Sequence, residues 1–355
     1  LYFYVNPKRA ELQGSARFSR PLFPGRASPE SIGRPLFFEM LSGRAFEGTR
    51  NQTEGGCFVK KNTPRRLGST VEPYIWILPS VILMAIFIIV PIGFVFRMAF
   101  SQVTKAGLIK GFAGFDNFSK VLGSSKFTMV LKNTVVWTVL VVVLSTVLGF
   151  ILALILNNQF KGRKIARAIV VFPWATTLVI QASAWKFIIN TDYGALNTLL
   201  KSLGIIQSNI NWTPTPEAFF GWEIACGIFV TIPFVCFTAL SGLQSIDSAL
   251  YEAATVDGSN YWQKLFHITL PLVKPSLTVA TVLNIIYVFN SFPIVWTMTK
   301  GDPASRTDTL VTYLYKLAFY NGKQGEAAAV SVIGFLILLV CASCYMVSTL
   351  KKGED

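Results

Sequence analysis

The chain has one histidine, His267. A lone imidazole builds neither a histidine metal site nor a proton relay, so it is read as a loop or interface residue. The five cysteines are scattered. Only Cys341 and Cys344 have C-x-x-C spacing, and they lie in a strongly apolar run with no second pair. Redox or metal chemistry needs exposure or further ligands, so these two are read as small packing residues. No G-x-x-x-x-G-K-[ST] run is present, which excludes a Walker-type phosphate loop. There is no nucleophile elbow either, which disfavours a membrane hydrolase. Charge is also scarce: 14% of residues are charged against 52% hydrophobic, too apolar for an ordinary soluble chain.

What fills the sequence is long apolar runs. A spanning helix needs about 20 consecutive, mostly apolar residues to cross roughly 30 Å of hydrocarbon. Six stretches qualify: 74–96, 133–156, 168–189, 219–243, 272–298 and 328–349. The predicted fold is therefore an all-α membrane protein, a bundle of six transmembrane helices. The few charges in these runs, Lys186, Glu223 and Lys274, fall near run ends, where a side chain can snorkel to the interface.

The net charge of +14 raises the question of a nucleic-acid partner. Its distribution argues against one. Residues 1–73 hold twelve Lys/Arg and six Asp/Glu, and much of the remainder sits in short loops between apolar runs. Basic residues beside spans report topology and contact with anionic lipid. Residues 1–73, rich in Arg, Ser, Gly and Pro without sustained period, are expected to be a cytoplasmic extension, and 74–355 the membrane domain.

Orientation follows from the loops. Residues 157–167 carry Lys161, Arg163, Lys164 and Arg167, whereas 190–218 carry one Lys and no Arg. The first loop is assigned to the cytoplasm and the second to the outside. Alternation then places segment 244–271 and both termini in the cytoplasm. The outer 99–132 loop is fairly basic and runs against the rule locally.

Segment 244–271 carries the most specific pattern. It reads Glu252-Ala253-Ala254, three residues, Gly258, nine residues, Ile268, one residue, then Leu270-Pro271. The alanines favour helix and permit close approach. Gly258 allows a sharp break because it tolerates positive φ. Leu270-Pro271 can open the next helix, since proline is tolerated in a first turn. The pattern E-A-A-x3-G-x9-I-x-L-P resembles the cytoplasmic coupling loop of permease subunits in binding-protein-dependent ABC importers. Ser241 to Ile246 before it, and Thr307-Asp308-Thr309-Leu310 with Thr312-Tyr313 and Ala318-Phe319 after it, resemble the carbohydrate branch of maltose- and glycerol-phosphate-type permeases. The resemblance covers roughly Tyr74 to the C-terminus.

The resemblance implies a coupling helix between spans four and five, with Glu252 available to an arginine on an ATPase. It implies a second homologous permease, two ATPase subunits carrying ATP and Mg, and an extracytoplasmic sugar-binding protein. This chain would bind no cofactor, catalyse no reaction and lie in a bacterial-type inner membrane. It would pass a sugar by alternating access.

Sugar sites replace hydroxyl hydrogen bonds with polar side chains and cover apolar ring faces with aromatics. Membrane helices tolerate such groups where they face a bundle interior. Asn284, Tyr287, Asn290 and Ser291 have spacings that place them along one face of the fifth span. Trp222 and Glu223 begin the fourth span, and the third holds Trp174, Gln181 and Trp185. Inter-helix hydrogen bonding is the competing reading for each polar residue. A secondary transporter or channel is the rival from another class. It predicts ion-driven transport without partners and gives no reason for the Glu252–Pro271 pattern. A permease for another solute is the rival within the class.

Overall fold

The computed structural model describes residues 68–351. The expected cytoplasmic extension therefore lies almost wholly outside the described residues. In chain order the elements are α1 (Gly68–Ala99), a small β1–β2 hairpin (Ser101–Val103 and Ile109–Phe112), α2 (Asp116–Leu122), α3 (Ser125–Asn157), α4 (Arg163–Trp174), α5 (Leu178–Ile188) and α6 (Ala195–Ser202). Then come α7 (Pro216–Gln244), α8 (Ser248–Val256), α9 (Tyr261–Lys264), a π-helical turn at Leu265–Thr269, α10 (Leu270–Phe289) and α11 (Phe292–Met298). The last are α12 (Leu310–Tyr315), a second π-helical turn at Lys316–Tyr320, and α13 (Gln324–Lys351).

Among the described residues, five helical stretches are long and apolar enough to cross a membrane: Trp76–Ala99, Ser125–Asn157, Pro216–Gln244, Tyr261–Phe289 and Gln324–Val347. The hairpin departs from an all-α chain, pairing Ser101 with Phe112. Asn117 fastens it to the helices by donating to the carbonyls of Ala99 and Ser101, each at 2.9 Å.

Two of the expected spans are not continuous helices. The third is α4 and α5, bent by 94°. Pro173 ends α4, and Thr177 caps α5 by accepting from Ile180 N–H. Gln181 closes the corner, its amide donating to the carbonyl of Pro173 at 2.7 Å and of Thr176 at 3.3 Å. Freed carbonyls need such donors away from water. The fifth span breaks at Asn290–Ser291, just before Pro293 in the first turn of α11. Proline there has no N–H to continue the α10 ladder.

The tightest packing joins α3 to α7 over glycines. A Cβ on Gly149 would lie 2.9 Å from Val235 Cβ, and one on Gly227 would lie 2.9 Å from the Trp137 ring. Trp137 also donates to the Val288 carbonyl at 2.9 Å, binding α3 to the end of α10. Gly149→Ile is expected to force α3 and α7 apart and cost about 1–3 kcal/mol, the usual range for overpacking. Thermal unfolding in detergent checks this, with Gly93→Ile as control, because a Cβ there meets nothing within 4 Å.

Candidate coupling segment and translocation path

Segment 244–271 is two helices joined at a glycine. Asp247 caps α8, its carboxylate accepting from Ala249 N–H at 3.0 Å. Gly258 takes φ +76°, which ends α8. Asn260 and Gln263 then start α9 as a reciprocal capping box, at 2.9 and 2.8 Å. Lys264 on α9 donates to the Thr255 hydroxyl on α8 at 2.7 Å, which fixes the angle between the helices. The Tyr251 and Thr269 hydroxyls lie 3.0 Å apart and join α8 to the π turn that leads into the membrane helix.

Of the motif residues, Ala254 is buried, while Glu252, Ala253 and Gly258 are exposed. Ile268 and Leu270 are half-buried and Pro271 is exposed at the start of α10. Val256 stands out at 89% exposed. The chain thus presents two short helices braced against each other, with an exposed face. Among the described residues, no group of three or more His, Cys, Asp or Glu is placed to hold a metal ion.

The suggested path residues differ in burial. Asn284 is buried and donates to the Ser145 hydroxyl on α3 at 2.9 Å. Ser291 is also buried. Tyr287 and Asn290 are exposed, and Asn290 donates back to the Ile286 carbonyl at 2.8 Å. Asn290 is the C-cap of α10, and Ser291 lies in the break before α11. Asn290 also borders a cavity of about 270 Å³ between α10, α12 and α13. Gln181 belongs to the α4–α5 corner, and Trp185 and Trp222 face each other with ring centroids 6.1 Å apart.

Glu223 departs furthest from expectation. It does not snorkel; it is 0% exposed. The loop after α11 folds over it, and the Thr299 hydroxyl donates to Glu223 Oε1 at 2.7 Å. The Thr307 hydroxyl lies 2.7 Å from that of Thr299, and either can be the donor between them. Next in the loop is Asp308, also 0% exposed, which accepts from Thr312 at 2.9 Å and pairs with Lys316 at 3.0 Å. Burial pushes the Asp308 carboxyl above the usual carboxylate range, and Lys316 with the hydroxyl donors pulls it back. Thr299 and Lys316 were not singled out from sequence. The run Thr307-Asp308-Thr309 was visible only as part of a resemblance, and its capping box at Thr309–Thr312 is the local signal that marks it.

A bundle of long apolar helices is the architecture of an integral membrane protein. Residues 145–350 match the family described as binding-protein-dependent transport system inner membrane component, and the chain belongs to that family. A probable ABC transporter permease protein of Brucella suis is 46% identical over 77% of this chain and 95% of its own length. The trehalose/maltose transport system permease protein MalF of Thermococcus litoralis is 36% identical over 77% of this chain and 92% of its own. Among solved structures, a bacterial alginate ABC transporter in complex with an alginate-pentasaccharide-bound periplasmic protein matches with TM-score 0.68 and 26% identity, over 79% of this chain and 96% of that one. The chain is thus a multi-pass inner-membrane permease component of a sugar ABC transporter family. It is not an enzyme, and ATP hydrolysis lies with separate ATPase subunits.

Proposed function

We propose that this chain is one of two permease subunits of an ATP-driven importer that moves a saccharide delivered by an extracytoplasmic binding protein. Six spans form the bundle, the bent α4–α5 pair counting as one. Both termini lie in the cytoplasm, residues 1–73 are a cytoplasmic extension, and 74–355 are the permease domain. Two partner ATPases bind ATP and Mg. Their closure presses on α8, and the bundle alternates between inward-open and outward-facing forms. The names of the relatives, covering trehalose/maltose and alginate, support a saccharide cargo.

The observation that carries this reading is the braced α8–Gly258–α9 projection, with Glu252 and Val256 exposed upon it. A rigid knob that transmits force through Tyr251–Thr269 into a membrane helix suits mechanical coupling. Val256→Cys carrying a short crosslinker is expected to attach to the ATPase subunit in the assembled complex. Labelling only of lipid or solvent quencher would count against it.

The path residues make a separable prediction. Removing the Asn284 amide leaves the Ser145 hydroxyl short of a buried partner, at a cost of about 1–3 kcal/mol. Asn284→Ala is therefore expected to weaken assembly. Tyr287→Ala and Asn290→Ala, at exposed positions, are expected to assemble normally and lower uptake. Uptake and co-purification measured on the same three variants check this; assembly defects in all three would mean that these residues only hold helices together.

A further inference from the structure

At the end of the bundle away from α8, a cavity of about 500 Å³ opens among α2, the start of α3, the second π turn and the start of α13. It lies a full membrane helix from the coupling projection, since the other end of α3 lines the hollow beside Tyr251 and Tyr261. Its size is within the roughly 300–1,000 Å³ of small-molecule sites. Four lysines line it: Lys120, Lys126, Lys316 and Lys323. One carboxylate, Glu326, lines it too.

Three of these ammonium groups already have partners. Lys120 pairs with Asp116 at 2.6 Å, Lys316 with Asp308 at 3.0 Å and Asp302 at 3.5 Å, and Lys323 with Glu326 at 3.1 Å. Lys126 makes no ion pair among the described residues, and its side chain is exposed. Beside it, Ser124 is the N-cap of the 33-residue α3, and its hydroxyl caps no first-turn N–H. The positive end of a long helix and an unpaired ammonium therefore meet at one wall. Ser124, Ser305 and Asn321 add hydrogen-bonding groups, and the Tyr313 ring adds an apolar face. Together they suit a polyol that carries negative charge.

Topology leaves this charge unexplained. Residues 100–132 hold five lysines and one acid, Asp116, on the side assigned to the outside. Lysine beside a span ordinarily accumulates on the cytoplasmic side.

We propose that this cavity receives the anionic group, a carboxylate or a group of like charge, of an acidic saccharide arriving at the outer mouth. The proposal rests on the importer reading above and narrows its cargo to charged sugars. Lys126 and the N-terminus of α3 hold the charge, and the hydroxyls and Tyr313 hold the ring.

The test uses the assembled importer in nanodiscs of uncharged lipid, without ATP, titrated with tri-galacturonate or with maltotriose. Tri-galacturonate is expected to bind more tightly than maltotriose and to weaken as salt rises. Lys126→Glu should weaken tri-galacturonate binding at least about tenfold, roughly the effect of a charge-assisted hydrogen bond. An acid in the first turn of a helix is favourable, so this variant does not threaten the fold. Lys132→Glu, on the same helix but outside the cavity, should leave binding unchanged. Equal affinity for the two sugars in wild type, or equal tri-galacturonate affinity in wild type and Lys126→Glu, overturns the proposal. So does a loss in Lys126→Glu of affinity for the sugar-free binding protein, which would make the cavity a protein-docking surface. ATP hydrolysis stimulated by the binding protein, measured on the same wild-type preparation, separates the two readings. No stimulation rejects the importer, whereas normal stimulation with charge-blind sugar binding rejects only the cavity.

Discussion

Gly258→Val is expected to cut binding-protein-stimulated ATP hydrolysis below about a tenth of the wild-type rate, a loss of roughly 1.4 kcal/mol in coupling, while the chain still inserts and co-purifies. Gly258 holds φ +76°. A β-branched residue is a genuine outlier there. A Cβ at this point meets nothing within 4 Å, so the chain suffers no internal clash. The strain is relieved by rotating the backbone instead, which turns α9 away from α8. The Ser259 N–H to Ala254 carbonyl bond of 2.9 Å and the Lys264–Thr255 bond both depend on that angle. The projection loses its brace, and force applied at α8 no longer reaches Thr269. Gly258→Asn is the rescue, because asparagine visits the left-handed region at small cost. Full stimulated activity in the valine variant would show that the angle between α8 and α9 does not matter.

Gly301→Ala should cause a large loss of stability. Gly301 has φ +78°, and its Cβ would fall on the Asp308 carboxylate. Asp308 cannot retreat without releasing Thr312 and Lys316. Breaking a buried ion pair costs about 3–5 kcal/mol, and the 19% exposure of Lys316 places this pair toward the lower end. For a domain of this size that corresponds to a fall of roughly 5–10 °C in the midpoint of thermal unfolding. Gly204→Ala separates the two contributions. Gly204 has φ +68° and open space around its Cβ, so only the backbone cost of about 1 kcal/mol applies. Equal losses in the two variants would refute the role given to the Asp308 carboxylate.

Apolar runs made the long helices legible, because hydropathy is a sum over many residues and tolerates local error. The breaks were not legible for the same reason. Pro173 and Pro293 are single residues inside apolar windows, and neither the α4–α5 corner nor the α10–α11 break lowers the window average. The pattern of seven fixed residues around Gly258 was readable because its parts are close in sequence. Glu223 was misplaced because distance from a run's end is not depth: the loop carrying Thr299 and Asp308 folds back over it. The lysine cavity gathers residues from α2, α3, the second π turn and the start of α13, segments far apart in sequence, and no linear pattern joins them. The shared face proposed for Asn284 through Ser291 assumed an unbroken helix.

The α4–α5 corner also sets an order of events during synthesis. The two halves emerge together, but α4 packs on α7 and α5 packs on α7 and α11, all made later. Gln181 can satisfy the carbonyls at the corner as soon as it is made. The corner is therefore chemically complete early, while α5 lacks its α11 neighbour until Phe292–Met298 has left the ribosome. A chain halted before α11 would leave α5 without its main neighbour.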